Sequence, residues 1–120
     1  MKTVTHRIFS HLSKLVQLSL NDNQIDTIHD NAFDGLSQLR YLYIRNNRLK
    51  TVNHTMFSHL SRLEILDLQH NQLETIHEDA FLGLAGLLGL KLAGNRLPSL
   101  SASLVRTMSH LRFIHLVTVN

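Results

Sequence analysis

A leucine pattern that returns every 24 residues limits what this chain can fold into more than any other feature. In the stretch LEILDLQHNQLETIHEDAFLGLAG (63–86), apolar residues stand at Leu63, Leu66, Leu68, Leu73, Ile76, Phe81 and Leu84, with Asn71 among them. The frame L-x-x-L-x-L-x-x-N-x-L begins at Leu15, Leu39, Leu63 and Leu87, and once more at Leu111. A short fixed period means thin units that bury their apolar face only by stacking on one another. Numbering each period from 1 to 24 places these leucines at position 1.

Alternate periods resemble each other more than neighbours do. KTVTHRIFSHLS (2–13) matches KTVNHTMFSHLS (50–61) at nine of twelve places, and IDTIHDNAFDGL (25–36) pairs in the same way with LETIHEDAFLGL (73–84). Duplication of a two-repeat unit produces this pattern, as does a designed alternating array. The expected organisation is one domain over 1–120. A partial repeat at 1–14 precedes full repeats at 15–38, 39–62, 63–86 and 87–110, and a partial repeat follows at 111–120.

Positions 3 to 6 alternate in polarity, with positions 4 and 6 apolar, as in a half-buried strand. Strands are expected near 17–20, 41–44, 65–68, 89–92 and 113–116. Recurring at one register, they must run parallel, about 4.8 Å apart, with each connection returning across the opposite side. Position 9 is Asn23, Asn47, Asn71 and Asn95. A buried amide must be satisfied, and stacked Asn side chains can bond the turns of their own and adjacent repeats. Position 19 is Phe9, Phe33, Phe57 and Phe81, an expected aromatic stack; Val105 interrupts it, with Leu104 or Met108 as the replacement.

Composition narrows the classes. Hydrophobic residues make up 43% and charged residues 18%, enough for a core and against disorder. There is no cysteine, so disulfides and thiolate metal sites are out. No apolar segment of the signal-peptide kind follows Met1 and Lys2. No apolar run is long enough to cross a membrane. The net charge is +3, and basic and acidic residues are interspersed without a run of Lys or Arg. On that pattern neither nucleic acid nor membrane insertion is expected.

These residues resemble the 24-residue, extracellular class of leucine-rich repeat proteins, as found in segments of Toll-type receptor and Slit-like ectodomains. The motif I-x-x-I-x-x-x-A-F-x-x-L is met by Ile25, Ile28, Ala32, Phe33 and Leu36, and with one conservative change by Leu73, Ile76, Ala80, Phe81 and Leu84. The resemblance implies an α/β solenoid. A curved parallel β-sheet forms its concave face, and loops and short 3-10 turns form its convex face. It implies an extracellular or cell-surface recognition, adhesion or immune protein that takes a protein or peptide ligand on the concave sheet. It implies no catalytic residues and no cofactor. Position 15, often Pro in this class, is here His29, Asn53, His77 and Ser101. The cysteine-rich end caps of the class are missing, which leaves apolar ends and homo-association through them as an expectation.

The candidate ligand face comes from the outward positions 3, 5, 7 and 8. Tyr41, Tyr43 and Arg45 fall together in one repeat, flanked by Ile65, Asp67 and Lys91 and then by Phe113 and His115. Tyr and Arg are enriched at binding hot spots, although Tyr and Ile also simply suit strands. The alternative is a structural spacer or designed scaffold without its own ligand. His6, His29, His54 and His77 fall at positions 15 or 16 of four consecutive repeats and form a ladder. Such a ladder is a candidate for metal binding through imidazole or for a change below about pH 6.5. Duplication of a tolerated surface histidine explains it as well, and no metal site is assigned. HEDAF lacks the second His of a zinc-protease motif, and no strained nucleophile turn is visible, so no enzyme is expected. Asn53-His54-Thr55 is a glycosylation sequon.

Overall fold

The computed structural model describes residues 1–98 and 100–108. Strand β1 is Thr3–Val4, β2 Gln17–Ser19, β3 Thr27–Ile28, β4 Tyr41–Tyr43, β5 Thr51–Val52, β6 Ile65–Asp67, β7 Thr75–Ile76 and β8 Gly89–Lys91, and helix α1 is Ala102–Met108. The principal sheet is parallel, in the order β2-β4-β6-β8. Its register joins equivalent residues of successive repeats: Gln17 with Tyr41, Tyr41 with Ile65, Ile65 with Gly89. The chain is thus a leucine-rich solenoid whose turns are the 24-residue periods.

The four expected strands are present, each ending one residue early. Their hydrogen bonding continues past those ends: Leu20 N–H donates to Tyr43 O at 2.7 Å, Ile44 N–H to Asp67 O at 2.8 Å, and Leu68 N–H to Lys91 O at 2.9 Å. The strand expected at 113–116 lies outside the described residues, as does the partial repeat at 111–120.

Period-two alternation turns positions 4 and 6 inward. Leu42, Ile44, Leu66, Leu68 and Leu92 are wholly buried, and Leu39, Leu63 and Leu73 join them from positions 1 and 11. On the far side of this core the rings of Phe9 and Phe33 stack at 6.2 Å, and those of Phe33 and Phe57 at 5.9 Å. Phe81 is buried at the next level. In the last full repeat α1 replaces the phenylalanine turn, and Leu104 is buried there. The side chains of Val105 and Met108 lie outside the described residues.

The asparagine ladder is made as its spacing requires. Asn71 Nδ2 donates to Ile44 O at 2.9 Å in the repeat before and to Leu68 O at 3.1 Å in its own. Its Oδ1 accepts Leu49 N–H at 3.1 Å. Asn47 does the same with Leu20 O, Ile44 O and Ile25 N–H, and Asn95 with Leu68 O, Leu92 O and Leu73 N–H. Asn23 bonds Leu20 O and Asn21 O within its own turn. Asn47, Asn71 and Asn95 are therefore rivets between adjacent coils.

The convex side carries single i to i+3 turns, such as Leu12 N–H on Phe9 O and Leu84 N–H on Phe81 O, both about one helical step long. It also carries short ladders that the periodicity does not announce: β1 pairs with β3 and β5 with β7. Among the described residues β3 and β5 share no ladder. The same alternation appears lower down the turn. A β-carbon at Gly35 would lie 2.7 Å from Ser10 O, and one at Gly83 would overlap Ser58 O. On the convex side the two-repeat unit seen in the sequence is thus a packing unit, closely apposed within itself, while the principal sheet runs on through the junction to the next. Thr55 O–H bonds Asp30 Oδ1 across that junction, and Arg62 Nη1 bonds Gln38 Oε1 at 2.6 Å.

Candidate functional site

Outward positions of β4, β6 and β8 lie side by side because the ladder is in register. Tyr41 neighbours Ile65, and Tyr43 neighbours Asp67, which neighbours Lys91. Tyr41 and Tyr43 point to the same face, being two residues apart on one strand. Tyr41, Tyr43, Arg45, Ile65 and Lys91 are half-buried there. Phe113 and His115 lie outside the described residues.

Asp67 differs from its neighbours. It is 3% exposed although it occupies an outward position. Its Oδ1 accepts Gln69 N–H at 3.1 Å and Gln69 Nε2 at 3.0 Å. Arg45 lies over it, with Nε 3.4 Å from Asp67 Oδ2. That Nε is itself buried and makes an ion pair rather than an aligned hydrogen bond. The Arg45 backbone is also tied, its N–H donating to Asn21 Oδ1 at 2.8 Å. Asp67 is therefore a support, and Arg45 is the charge shown to solvent, its side chain 40% exposed.

The edge of this face is set by backbone conformation. Position 8 holds Asp22, Asn46 and His70 at φ near +60°, and Gly94 at +74°. Asp, Asn and His are the non-glycine residues most tolerant of this region. The residue types at position 8 carry that signal in the sequence, and a reading of the face by alternation alone passes over it.

The histidines are only partly brought together. The His54 and His77 rings are 4.9 Å apart. His6 Nδ1 lies 3.1 Å from Asp30 O. His77 Nδ1 accepts the Asp79 N–H at 3.0 Å, which leaves the proton of the neutral ring on Nε2. Among the described residues no three His, Cys, Asp or Glu are grouped to hold a metal ion. A hollow of about 310 Å³ on the convex side is lined by Arg7, Asp34 and His59 among others, away from the tyrosines. It carries only a long 4.0 Å contact between His59 Nε2 and Asp34 Oδ1. No helix among the described residues is long and apolar enough to cross a membrane.

The solved structure of a TLR13 complex with the single-stranded RNA ssRNA13 is similar to this chain, at 35% identity and a TM-score of 0.87. The match covers 95% of this chain and 16% of that one. The structure of the Drosophila Toll–Spätzle complex matches at 23% identity and a TM-score of 0.86, over 98% of this chain and 17% of that one. The chain thus spans about a sixth of the length of either. No curated protein matches the sequence.

The first of these corrects the exclusion of nucleic acid drawn from charge pattern, since a protein of this similarity is seen in complex with RNA. The physical reason lies in the solenoid. Residues 24 apart in sequence are surface neighbours, so any basic patch on a solenoid is assembled across repeats, and the lack of a Lys or Arg run is no measure of it. The leucine rich repeat family matches residues 1–49, 37–97 and 61–118. Period, register, riveting asparagines and these matches together place the chain in the leucine-rich repeat family.

Proposed function

We propose that this chain is a ligand-recognition segment of a larger extracellular or cell-surface receptor. It binds a protein or peptide through the strand face around Tyr41, Tyr43, Arg45 and Ile65. The observation that carries the reading is the pinned geometry of that patch. Two tyrosines share one face of a central strand, and an arginine beside them is held by a buried carboxylate. A face that is already ordered loses little entropy on binding. Tyr and Arg are the side chains that most often dominate binding energy.

A second reading, single-stranded RNA, is favoured by the similarity to the TLR13 complex. The same side chains suit it, with Tyr rings to stack on bases and Arg to meet phosphate.

The two are separated by one pair of measurements on the folded chain. A displayed peptide library is selected on it, and a labelled mixed-sequence single-stranded RNA is titrated at several salt concentrations. The protein reading expects a selected peptide whose affinity falls at least about tenfold in both Tyr41→Ala and Tyr43→Ala. The RNA reading expects saturable binding that weakens steeply with salt and with the same substitutions. A ligand that binds both variants as it binds the parent chain removes the strand-face assignment. Selection of nothing in either arm returns the chain to the spacer reading.

A further inference from the structure

Asn53 stands where β5 runs into a convex turn, and all the hydrogen bonds of its side chain fall on one atom. Its Oδ1 accepts Thr55 N–H at 3.1 Å and Met56 N–H at 2.9 Å. This is a turn cap, and other repeats build it at the same position 15 from different side chains. His77 Nδ1 takes the Asp79 N–H, and Ser101 Oγ takes the Leu104 N–H at 3.0 Å. A histidine nitrogen and a serine oxygen can do the work, so the cap calls for an acceptor and not for an amide. Nδ2 of Asn53 takes no part in the cap.

We propose that Asn53 carries an N-linked glycan and that the folded turn holds it unchanged. Asn53-His54-Thr55 is the acceptor triplet. The fold uses Oδ1 and the sugar uses Nδ2. In the transfer, Nδ2 attacks the anomeric carbon of a lipid-linked diphospho-oligosaccharide. The new N–C bond forms as the anomeric C–O bond to the diphosphate breaks. Nδ2 gives up one proton, the lipid diphosphate leaves, and nothing is oxidised or reduced. The carbonyl of the glycosylated amide still accepts the Thr55 and Met56 bonds.

The placement has a functional sense. Asn53 follows β5, which belongs to the small convex ladder with β7, whereas Tyr41 and Tyr43 lie on β4 of the principal sheet. Its exposed neighbours are His54 and, one repeat on, His77. A glycan here covers the histidine edge and leaves the tyrosine face open. The duplicated segment at 2–13 has Thr5 where Asn53 stands, so the modification marks one copy of the two-repeat unit.

The proposal rests on the extracellular reading, and its test needs no ligand, so it fails separately from the binding test. The full chain behind a cleavable signal is translated with endoplasmic-reticulum microsomes, and only the protease-protected product is analysed. The parent and Thr55→Ser are expected to gain one glycan, removed by peptide N-glycosidase with conversion of Asn53 to Asp. Thr55→Ala and Asn53→Asp are expected to gain none. Glycosylated parent and Asn53→Asp, which retains Oδ1, are expected to melt within about 2 °C of the unmodified chain. A protected parent chain unmodified at Asn53 overturns the proposal. So does a glycosylated chain that melts as low as Asn53→Ala, because the cap would then have been lost.

Discussion

Asp67 is buried beneath Arg45, with 3.4 Å between Oδ2 and Nε, so a partly exposed cation of the candidate face rests on a carboxylate that is itself shut off from solvent. Removing the carboxylate leaves the buried Nε without a counter-charge. Asp67→Asn is expected to cost about 1–2 kcal/mol, the range between an exposed and a buried pair, because the Arg45 side chain is partly solvated. Denaturant unfolding checks this. In a cycle with Arg45→Met, the Asp67→Asn cost should shrink, and equal costs in both backgrounds would show that the pair is not coupled.

Asn71→Ala is expected to be among the most damaging substitutions in the chain. It orphans the buried Leu49 N–H and takes one of two amide donors from Ile44 O, which keeps Asn47, and from Leu68 O, which keeps Asn95. With about 1–3 kcal/mol for the unsatisfied buried N–H and a smaller loss at each carbonyl, a loss of roughly 2–3 kcal/mol is expected. Asn23→Ala, which orphans no N–H and takes a donor only from Asn21 O and from Leu20 O, which keeps Asn47, should cost clearly less. Urea midpoints of the two variants make the comparison.

Gly83→Ala tests the close approach inside the two-repeat unit. The added methyl meets the Ser58 carbonyl, which is backbone and cannot swing aside. Overpacking of this kind costs about 1–3 kcal/mol. Gly86→Ala, whose methyl would lie 3.3 Å from Ser61 O, should be milder. The melting temperatures of the two should rank in that order.

Ser101→Ala removes the oxygen that caps the first turn of α1 at Leu104 N–H. A loss of about 1 kcal/mol is expected, while Ser101→Asn, which keeps an acceptor, should fall within experimental scatter of the parent. Thermal unfolding of both variants separates the cap from side-chain size.

The fold was legible because its determinants repeat. Positions 4 and 6, the asparagines and the phenylalanines each declare themselves several times over, and the structure buries Leu42, Leu66, Asn47 and Asn71 accordingly. What escaped is a cross-repeat pair, a role shared by unlike residues, and strands too short to alternate. The burial of Asp67 depends on Arg45, which comes from the strand before, and no period links the two. The cap at position 15 is hidden because Asn53, His77 and Ser101 share only a lone pair, not a residue type. The two-residue convex strands carry too few residues to show a period of their own. The charge pattern misled for a related reason, since it was judged along the chain while the surface is built across it.

The glycine contact sets how this architecture can lengthen. Ser10 and Ser58 press their carbonyls against Gly35 and Gly83, whereas the alternate repeats have His11 and His59 at the glycine position. Insert one serine-bearing rung after another and a histidine β-carbon lands where only hydrogen fits. Recombination that sets two serine-bearing rungs side by side therefore yields a jammed array, and a step of 48 residues extends such a chain without that clash.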